Sequence, residues 1–376
     1  MSERNAEVGI ITFHCSNNYG AMLQAYGLKR FLQDSGTAAE IVRYEPPYMT
    51  GRHWWISYAP IQGLKGRIWG LFNMWNGFWA HMRVKEQFSR QRANMNRFRR
   101  EYLTEKGQRK ILSAWGLRRL PYRYYIVGSD QIWNPDITCG LRKAYFGAFQ
   151  SRRKEKVVAY AASFGGTSIQ ERHDRKFAEL VSHVDALSVR EATAIPYVKK
   201  FYPGDVKAVL DPVFFLGKEA WQEAEKAPDR KGYILVYVTE GNEKMAEYAR
   251  KLSEEKGLPV VEVRAGQQGA DQGFELDVTA GPAEFLGYIH HAEYVVTNSF
   301  HAVAFSIIYR KRFLAFAHRS LSARLQNILQ VHGLEDKICQ DGGGKDIDAP
   351  VDWGKVQQRT ADAVRESQKF LLGNLS

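Results

Sequence analysis

Short apolar runs alternate with helix-patterned stretches in both halves of this chain, and that alternation restricts its fold more than any other feature. In the first half the runs fall at 8–13, 39–44, 124–133, 157–164, 186–191 and 207–214, with a helical pattern over 21–32. In the second half they fall at 232–238, 259–263, 294–297 and 312–316, interleaved with helical patterns at 242–256, 282–290, 302–308 and 322–332. Most of the runs are continuously apolar, the pattern of strands covered on both faces and hence of parallel sheets. Strand and helix in alternation predict α/β domains of the doubly wound, Rossmann-like kind. The charged stretch 217–231 interrupts the pattern and reads as the crossing between domains. The expected division is therefore 1–222 and 223–376, two lobes facing across a cleft, with a tail helix over 361–372 packing back on the first.

Residues 52–110 depart from the alternation. Trp54, Trp55, Trp69, Trp75 and Trp79 crowd together, followed by Arg83, Lys85, Arg90, Arg92, Arg97, Arg99 and Arg100. This aromatic and basic segment is expected to be a helical insertion in the first domain. Two readings stand: a hairpin packed on its own domain or on a second subunit, or a helix lying at a membrane interface, where tryptophan beside lysine and arginine is favoured. The formal net charge of +12 biases the whole surface toward anionic partners: nucleic acid, phosphorylated metabolites or an anionic membrane face. With no zinc-finger spacing, nucleotide-binding lysine loop or nucleic-acid-binding aromatic signature, nucleic acid is not expected. No run of about 18 apolar residues is present, and the polar first residues lead directly into a strand. A cytoplasmic protein is expected, associated with the inner face of the cytoplasmic membrane if the tryptophan-rich segment binds there. The three cysteines, Cys15, Cys139 and Cys339, are far apart, so neither a disulfide framework nor a metal site is expected.

Chemistry is expected where strands end, because ligands of open α/β sheets bind at the carboxyl ends of strands and the free N–H groups of a helix's first turn attract anions. The segment Tyr294–His301, YVVTNSFH, runs from a strand through a polar cluster to a histidine at the start of a helix. A neutral imidazole there can exchange a proton at physiological pH, or the polar cluster is a helix cap and the ring only packs. The loop at 14–20, HCSNNYG, follows the first strand with small polar residues beside a helix. Asp130 sits where another strand should end. Ser188 and Arg190 share one face of an alternating strand, so Arg190 points to a cleft or pairs with Glu191.

Taken together, FHCSNNYGA at 13–21, VGSDQIW at 127–133, SVRE at 188–191, LDP at 210–212 and TNSFH at 297–301 resemble, in that order, the polysaccharide pyruvyl transferase family. The likeness spans about 9 to about 334. It implies a GT-B-like arrangement of the two domains and transfer of pyruvate from phosphoenolpyruvate onto two hydroxyls of a sugar, giving a cyclic ketal and phosphate. No tightly bound cofactor is implied. The acceptor would be a hexose of a bacterial surface polysaccharide precursor, carried on a lipid diphosphate or a nucleotide. By the same resemblance Arg190 would hold the donor's anionic groups, His301 would be a catalytic acid or phosphate contact, and Asp130 a base. Asn17, Asn18, Tyr19, Ser129, Ser188, Asn298 and Ser299, in the same segments, would contact substrate. Two positions before the family's histidine an arginine is common. Here Ser299 occupies that place, and Lys311, Arg312, Arg319 and Arg324 are the candidates to supply the cation instead. The alternatives are a glycosyltransferase using a nucleotide sugar, since a fold does not fix a function, and a non-catalytic peripheral membrane protein of a polysaccharide assembly complex.

Overall fold

The computed structural model describes residues 6–49, 86–149, 155–239, 241–265, 273–317, 322–339 and 345–375. Arg319, the tryptophan cluster at 54–79 and the first part of the expected insertion lie outside the described residues.

Two six-stranded sheets, parallel throughout, carry the fold. The first contains β1 (Val8–Ile11), β2 (Ala39–Ile41), β3 (Tyr124–Asp130), β4 (Lys156–Ala162), β5 (Ala186–Val189) and β6 (Val206–Ala208), in the order β2-β1-β3-β4-β5-β6. The second contains β7 (Ile234–Tyr237), β8 (Val260–Val263), β9 (Glu275–Asp277), β10 (Tyr294–Thr297), β11 (Arg312–Phe316) and β12 (Ile338–Cys339), in the order β12-β11-β10-β7-β8-β9. Counted within its own domain, the second sheet has the Rossmann order. Every residue of β1, β3, β7 and β10 is buried, as continuous apolar runs between two helical layers require. The architecture is a two-domain, GT-B-like α/β fold.

Each sheet has a point where the strand order reverses, between β1 and β3 in the first and between β7 and β10 in the second. At such a point the connections leave to opposite sides and a crevice opens beyond the carboxyl ends of the strands.

The helices that bear on the site are α1 (Tyr19–Asp34), α2 (Asp174–Val181), α3 (Glu243–Lys256), α4 (Pro282–His291), α5 (Phe300–Ile308), α6 (Ser322–His332) and α7 (Trp353–Gly373). Helix α1 starts two residues before the periodicity suggests, because Asn18 caps it with a side chain that accepts from the Ala21 N–H at 3.0 Å. The first residue of α1 ties the domains together. The Tyr19 ring stacks on Phe285 of α4 with centroids 4.9 Å apart, and its hydroxyl donates to the carbonyls of Arg264 and Ala280. Such a ring pair contributes about 0.5–1.5 kcal/mol beyond its buried area.

The strand expected within 207–214 is Val206–Ala208, and the turn expected at Asp211–Pro212 opens a 3-10 helix, Pro212–Phe215. Proline has no N–H for a ladder and its fixed φ suits a first helical position. Asp211 caps that turn, its Oδ1 accepting from the Val213 N–H at 3.2 Å. Helix α7 is longer than the expected 361–372 and secures this turn: its Ser367 Oγ accepts from the Leu210 N–H at 2.9 Å. The helix over 86–98, the described end of the expected insertion, also bridges to the second domain. There Gln91 donates to the Arg264 carbonyl, Asn94 to the Thr279 carbonyl and Arg97 to Glu284.

Candidate active site

Both reversal points open onto one cavity of about 700 Å3. Phe13, Ser16 and Asn18 follow β1 and Asp130 ends β3; Tyr237 and Thr239 end and follow β7, and Asn298, Ser299, Phe300 and His301 follow β10. All line the cavity. Their convergence follows from the two sheet topologies, since each lobe presents its crevice to the other.

The Thr297-Asn298-Ser299 turn is built by its own side chains. Thr297 Oγ1 donates to the Tyr237 carbonyl at 2.7 Å and accepts from the Ser299 N–H at 3.1 Å. Asn298 Oδ1 accepts from both the N–H and the hydroxyl of Thr239, joining the ends of β7 and β10. Ser299 is then the N-cap of α5 by backbone position, without a side-chain cap bond, and His301 falls in the first helical turn. The amino end of α1 faces the same cavity through Asn18, Gly20 and Ala21. Two helix amino ends, each the positive pole of its peptide dipoles, therefore meet there.

His301 is held where it is by the absence of a side chain opposite. A Cβ on Gly20 would lie 1.9 Å from His301 Nδ1, so no other residue type fits there without moving the ring. Burial pushes the imidazole pKa down to about 3; Asp130 opposes that shift, while Arg190 and Arg324 reinforce it. The ring is neutral at physiological pH. Its Nε2 is buried with no hydrogen-bond partner and lies 3.8 Å from Asp211 Oδ2.

Behind His301 is a buried charge network. Arg190 Nη1 donates to Asp211 Oδ2 at 2.9 Å, Nε to Glu191 Oε1 at 3.1 Å, and Nη2 stands 3.8 Å from Asp130 Oδ1. Against the cost of burial, the carboxylates of Glu191, Asp211 and Asp130 hold the guanidinium pKa above its ordinary value. The guanidinium also lies 4.6 Å over the Phe300 ring, so an arginine of the first domain packs on the first residue of α5. Asn327 of α6 adds a bond to the Arg190 carbonyl and accepts from the Ala192 N–H. Ser129 Oγ donates to Asp211 Oδ2 at 3.1 Å. Asp130 itself adopts φ 73°, a left-handed conformation that a non-glycine residue holds at a cost of about 1–3 kcal/mol. Its Oδ1 accepts from the next residue's N–H at 2.9 Å. At Gly128 the backbone is left-handed too, and a Cβ would sit 2.1 Å from the Tyr160 carbonyl oxygen.

Of the residues expected from the sequence, Asn18, Asp130, Asn298, Ser299, His301 and Arg324 line the cavity together. The others lie elsewhere. Arg190, expected as the cation that holds the donor, is 3% exposed and outside the lining, with Nε and Nη1 engaged by carboxylates. Buried Ser129 bonds to Asp211, and buried Ser188 receives the Ala161 N–H and donates to the Ala159 carbonyl. Tyr19 is the interdomain tie already described. Asn17 is exposed outside the lining, and Lys311 Nζ donates to the His290 carbonyl away from the cavity. Among the described residues Arg324, in the first turns of α6, is the one Lys or Arg in the lining.

The sequence reading missed part of the lining. Gln131, Asn134, Asp136, Ser168 and Gln170 line the cavity from the segments after β3 and β4. Asn134 Nδ2 donates to Gln131 Oε1 at 3.0 Å, fixing one carboxamide against the other. The available signal was that these polar residues follow two adjacent strand ends, one of them marked by Gly165-Gly166. The lining thus combines two helix amino ends and Arg324 with carboxamide and carboxylate groups suited to hydroxyls.

A family model described as polysaccharide pyruvyl transferase matches residues 18–320. Solved structures similar in fold include UDP-N-acetylglucosamine 2-epimerase from Rickettsia bellii, with a TM-score of 0.41 and 9% identity over 97% of this chain and 95% of that one. UDP-GlcNAc 2-epimerase from Neisseria meningitidis bound to UDP-GlcNAc gives 0.44 and 8%, over 98% of each chain. E. coli ADP-heptose lps heptosyltransferase II gives 0.34 and 10%, over 96% of this chain and 99% of that one. Likeness at this level carries nothing about what this chain binds. A search of curated proteins finds no match.

Proposed function

Because the chain belongs to the polysaccharide pyruvyl transferase family, we propose that it moves pyruvate from phosphoenolpyruvate onto two hydroxyls of a hexose in a bacterial surface polysaccharide precursor, forming a cyclic ketal and releasing phosphate. The observation that carries this reading is the meeting of the α1 and α5 amino ends with Arg324 in one cavity. A donor bearing a phosphate and a carboxylate needs such a concentration of backbone amides and one fixed cation. Arg324 fills the need that the serine at 299 leaves open.

The acceptor hydroxyls face the wall of Gln131, Asn134, Asp136 and Gln170. One hydroxyl adds to C2 of the donor as the methylene carbon takes a proton; the C–O bond to phosphate then breaks, and the second hydroxyl closes the ketal. Two hydroxyl protons leave the sugar, one ending on the new methyl group and one on phosphate. His301, neutral in the free site, gains affinity for a proton when two anionic groups enter beside it, and delivers that proton to the methylene carbon. Asp130 accepts a proton from the attacking hydroxyl. Each transfer is worth roughly 100-fold or more in rate. Arg190 and Asp211 are positioning residues: they hold the start of α5 and the back of the imidazole.

The test is incubation with phosphoenolpyruvate and a panel of lipid-linked and nucleotide-linked hexoses. Release of phosphate with a matching gain of pyruvate mass in one acceptor is expected. Folded protein that yields no such product, and that is protected against heating by a sugar nucleotide but not by phosphoenolpyruvate, would assign it to glycosyl transfer instead.

A further inference from the structure

A second cluster of functional side chains lies outside the cavity, where the interdomain crossing meets the end of α4. Glu225 follows the short helix Lys218–Ala224 in the crossing, and His290 and His291 are the last two residues of α4. His290 Nδ1 lies 2.8 Å from Glu225 Oε1 and His291 Nε2 lies 3.3 Å from the same oxygen. One ligand atom from each residue falls within 4.8 Å of the other two, and among the described residues this is the one such group of three. We propose that Glu225, His290 and His291 form a binding site for a divalent late first-row transition ion such as Zn2+, clamping the crossing to α4.

Four features support a site rather than a chance meeting of side chains. Two imidazoles converge on a single carboxylate oxygen, which brings two nitrogen donors and one oxygen donor to one place. The three donor atoms are close enough to reach one ion, His291 Nε2 and Glu225 Oε1 at 3.3 Å being near the edge of a tetrahedron around Zn2+, and two imidazole nitrogens with one carboxylate leave a fourth position for water. The ligands are oriented from outside, as metal ligands usually are. Tyr309 donates to Glu225 Oε2 at 3.1 Å, which orients the carboxylate. The Tyr309 ring stacks on His290, centroids 4.6 Å apart, and fixes the imidazole plane. Finally, the three side chains are 10%, 17% and 33% exposed, so an ion has a way in. Imidazole with carboxylate selects late transition ions over Mg2+ or Ca2+, which prefer all-oxygen sites. The opposing charge nearby is Lys311, whose ammonium is spent on the His290 carbonyl. None of the three ligands lines the cavity, so the inference is independent of the proposed reaction.

The experiment titrates Zn2+ into the untagged full chain against a chromophoric chelator, with Mg2+ in parallel. One Zn2+ per chain is expected, together with a rise in Tm that Mg2+ does not give. Glu225→Gln and His291→Asn should each remove both effects, and Tyr309→Phe should weaken Zn2+ binding roughly 10- to 100-fold. His291 is a third exposed, so its variant is the one suited to distinguish lost binding from lost folding. Equal Zn2+ affinity and equal Tm shifts in the wild type, Glu225→Gln and His291→Asn would overturn the site, as would the absence of Zn2+ binding by the wild type.

Discussion

His301 Nε2, from the second domain, stands 3.8 Å from Asp211 Oδ2 of the first, and that same oxygen accepts from Arg190 and Ser129. One buried carboxylate oxygen thus joins the back of the imidazole to the arginine that packs on α5. The joint depends on the 3-10 turn at Pro212–Phe215, which places Asp211, and on Ser367 of α7, which secures the residue before it.

Asp211→Asn keeps the shape and removes the charge. Arg190 retains Glu191 and Asp130, so the variant should lose only about 1.5–3 kcal/mol, the worth of a hydrogen bond to a charged group. Urea unfolding midpoints measure this. Turnover should fall further than stability, because the imidazole loses its anionic neighbour. A variant with unchanged turnover would detach Asp211 from the site.

Gly20→Ala would place a methyl group on the imidazole. Helix propensity favours alanine by up to about 1 kcal/mol, so simple unfolding is not the expected outcome. The expectation is a large loss of kcat with a small change in Tm, and full kcat in this variant would show that His301 has no fixed place in the reaction.

Arg324→Gln should weaken the donor far more than the acceptor. Loss of a charge-assisted hydrogen bond to phosphate is worth about 1.5–3 kcal/mol, which raises the donor's KM roughly 10- to 100-fold. Steady-state titration of each substrate separates the two, and a selective rise in acceptor KM would reverse the orientation proposed for the cavity.

Acid should destabilise the free protein through His301. Its folded pKa, about 3, lies below the ordinary 6.5. Between these values the unfolded chain binds a proton that the folded chain does not, so stability falls as pH drops through that window, by about 1.4 kcal/mol per pH unit for this group. Burial also holds His14 down to about 4 and lowers His332, so both add to the slope. His301→Asn should flatten the profile between pH 3 and 6.5 relative to wild type, as read by urea unfolding at fixed pH. Parallel profiles would mean that His301 is not buried uncharged.

Much of this was legible in the sequence. Continuous apolar runs announced β1, β3, β7 and β10, and the polar clusters after three of these strands marked Asn18, Asp130, Asn298 and His301. Strands β9 and β12 were not, because Glu275-Leu-Asp277 and Ile338-Cys339 are too short to show a period. The alternation in β5 put Arg190 on one face with Glu191 as a partner, but the Asp211 carboxylate that also meets it comes from a turn 21 residues away. Gln131, Asn134 and Gln170 belong to no pattern, since polar loop residues look alike until the strands that precede them are adjacent. Glu225 and the His290–His291 pair are 65 residues apart and meet only through the crossing. In each case the missing information was three-dimensional neighbourhood rather than residue type.

The most direct test of the central claim is a crystal structure of the protein with phosphoenolpyruvate. The account requires the phosphate to lie within hydrogen-bond reach of Arg324 and the first-turn amides of α5, with the methylene carbon toward His301. Phosphoenolpyruvate bound outside this cavity, or bound there with its phosphate turned toward Gln131 and Asn134, would contradict it.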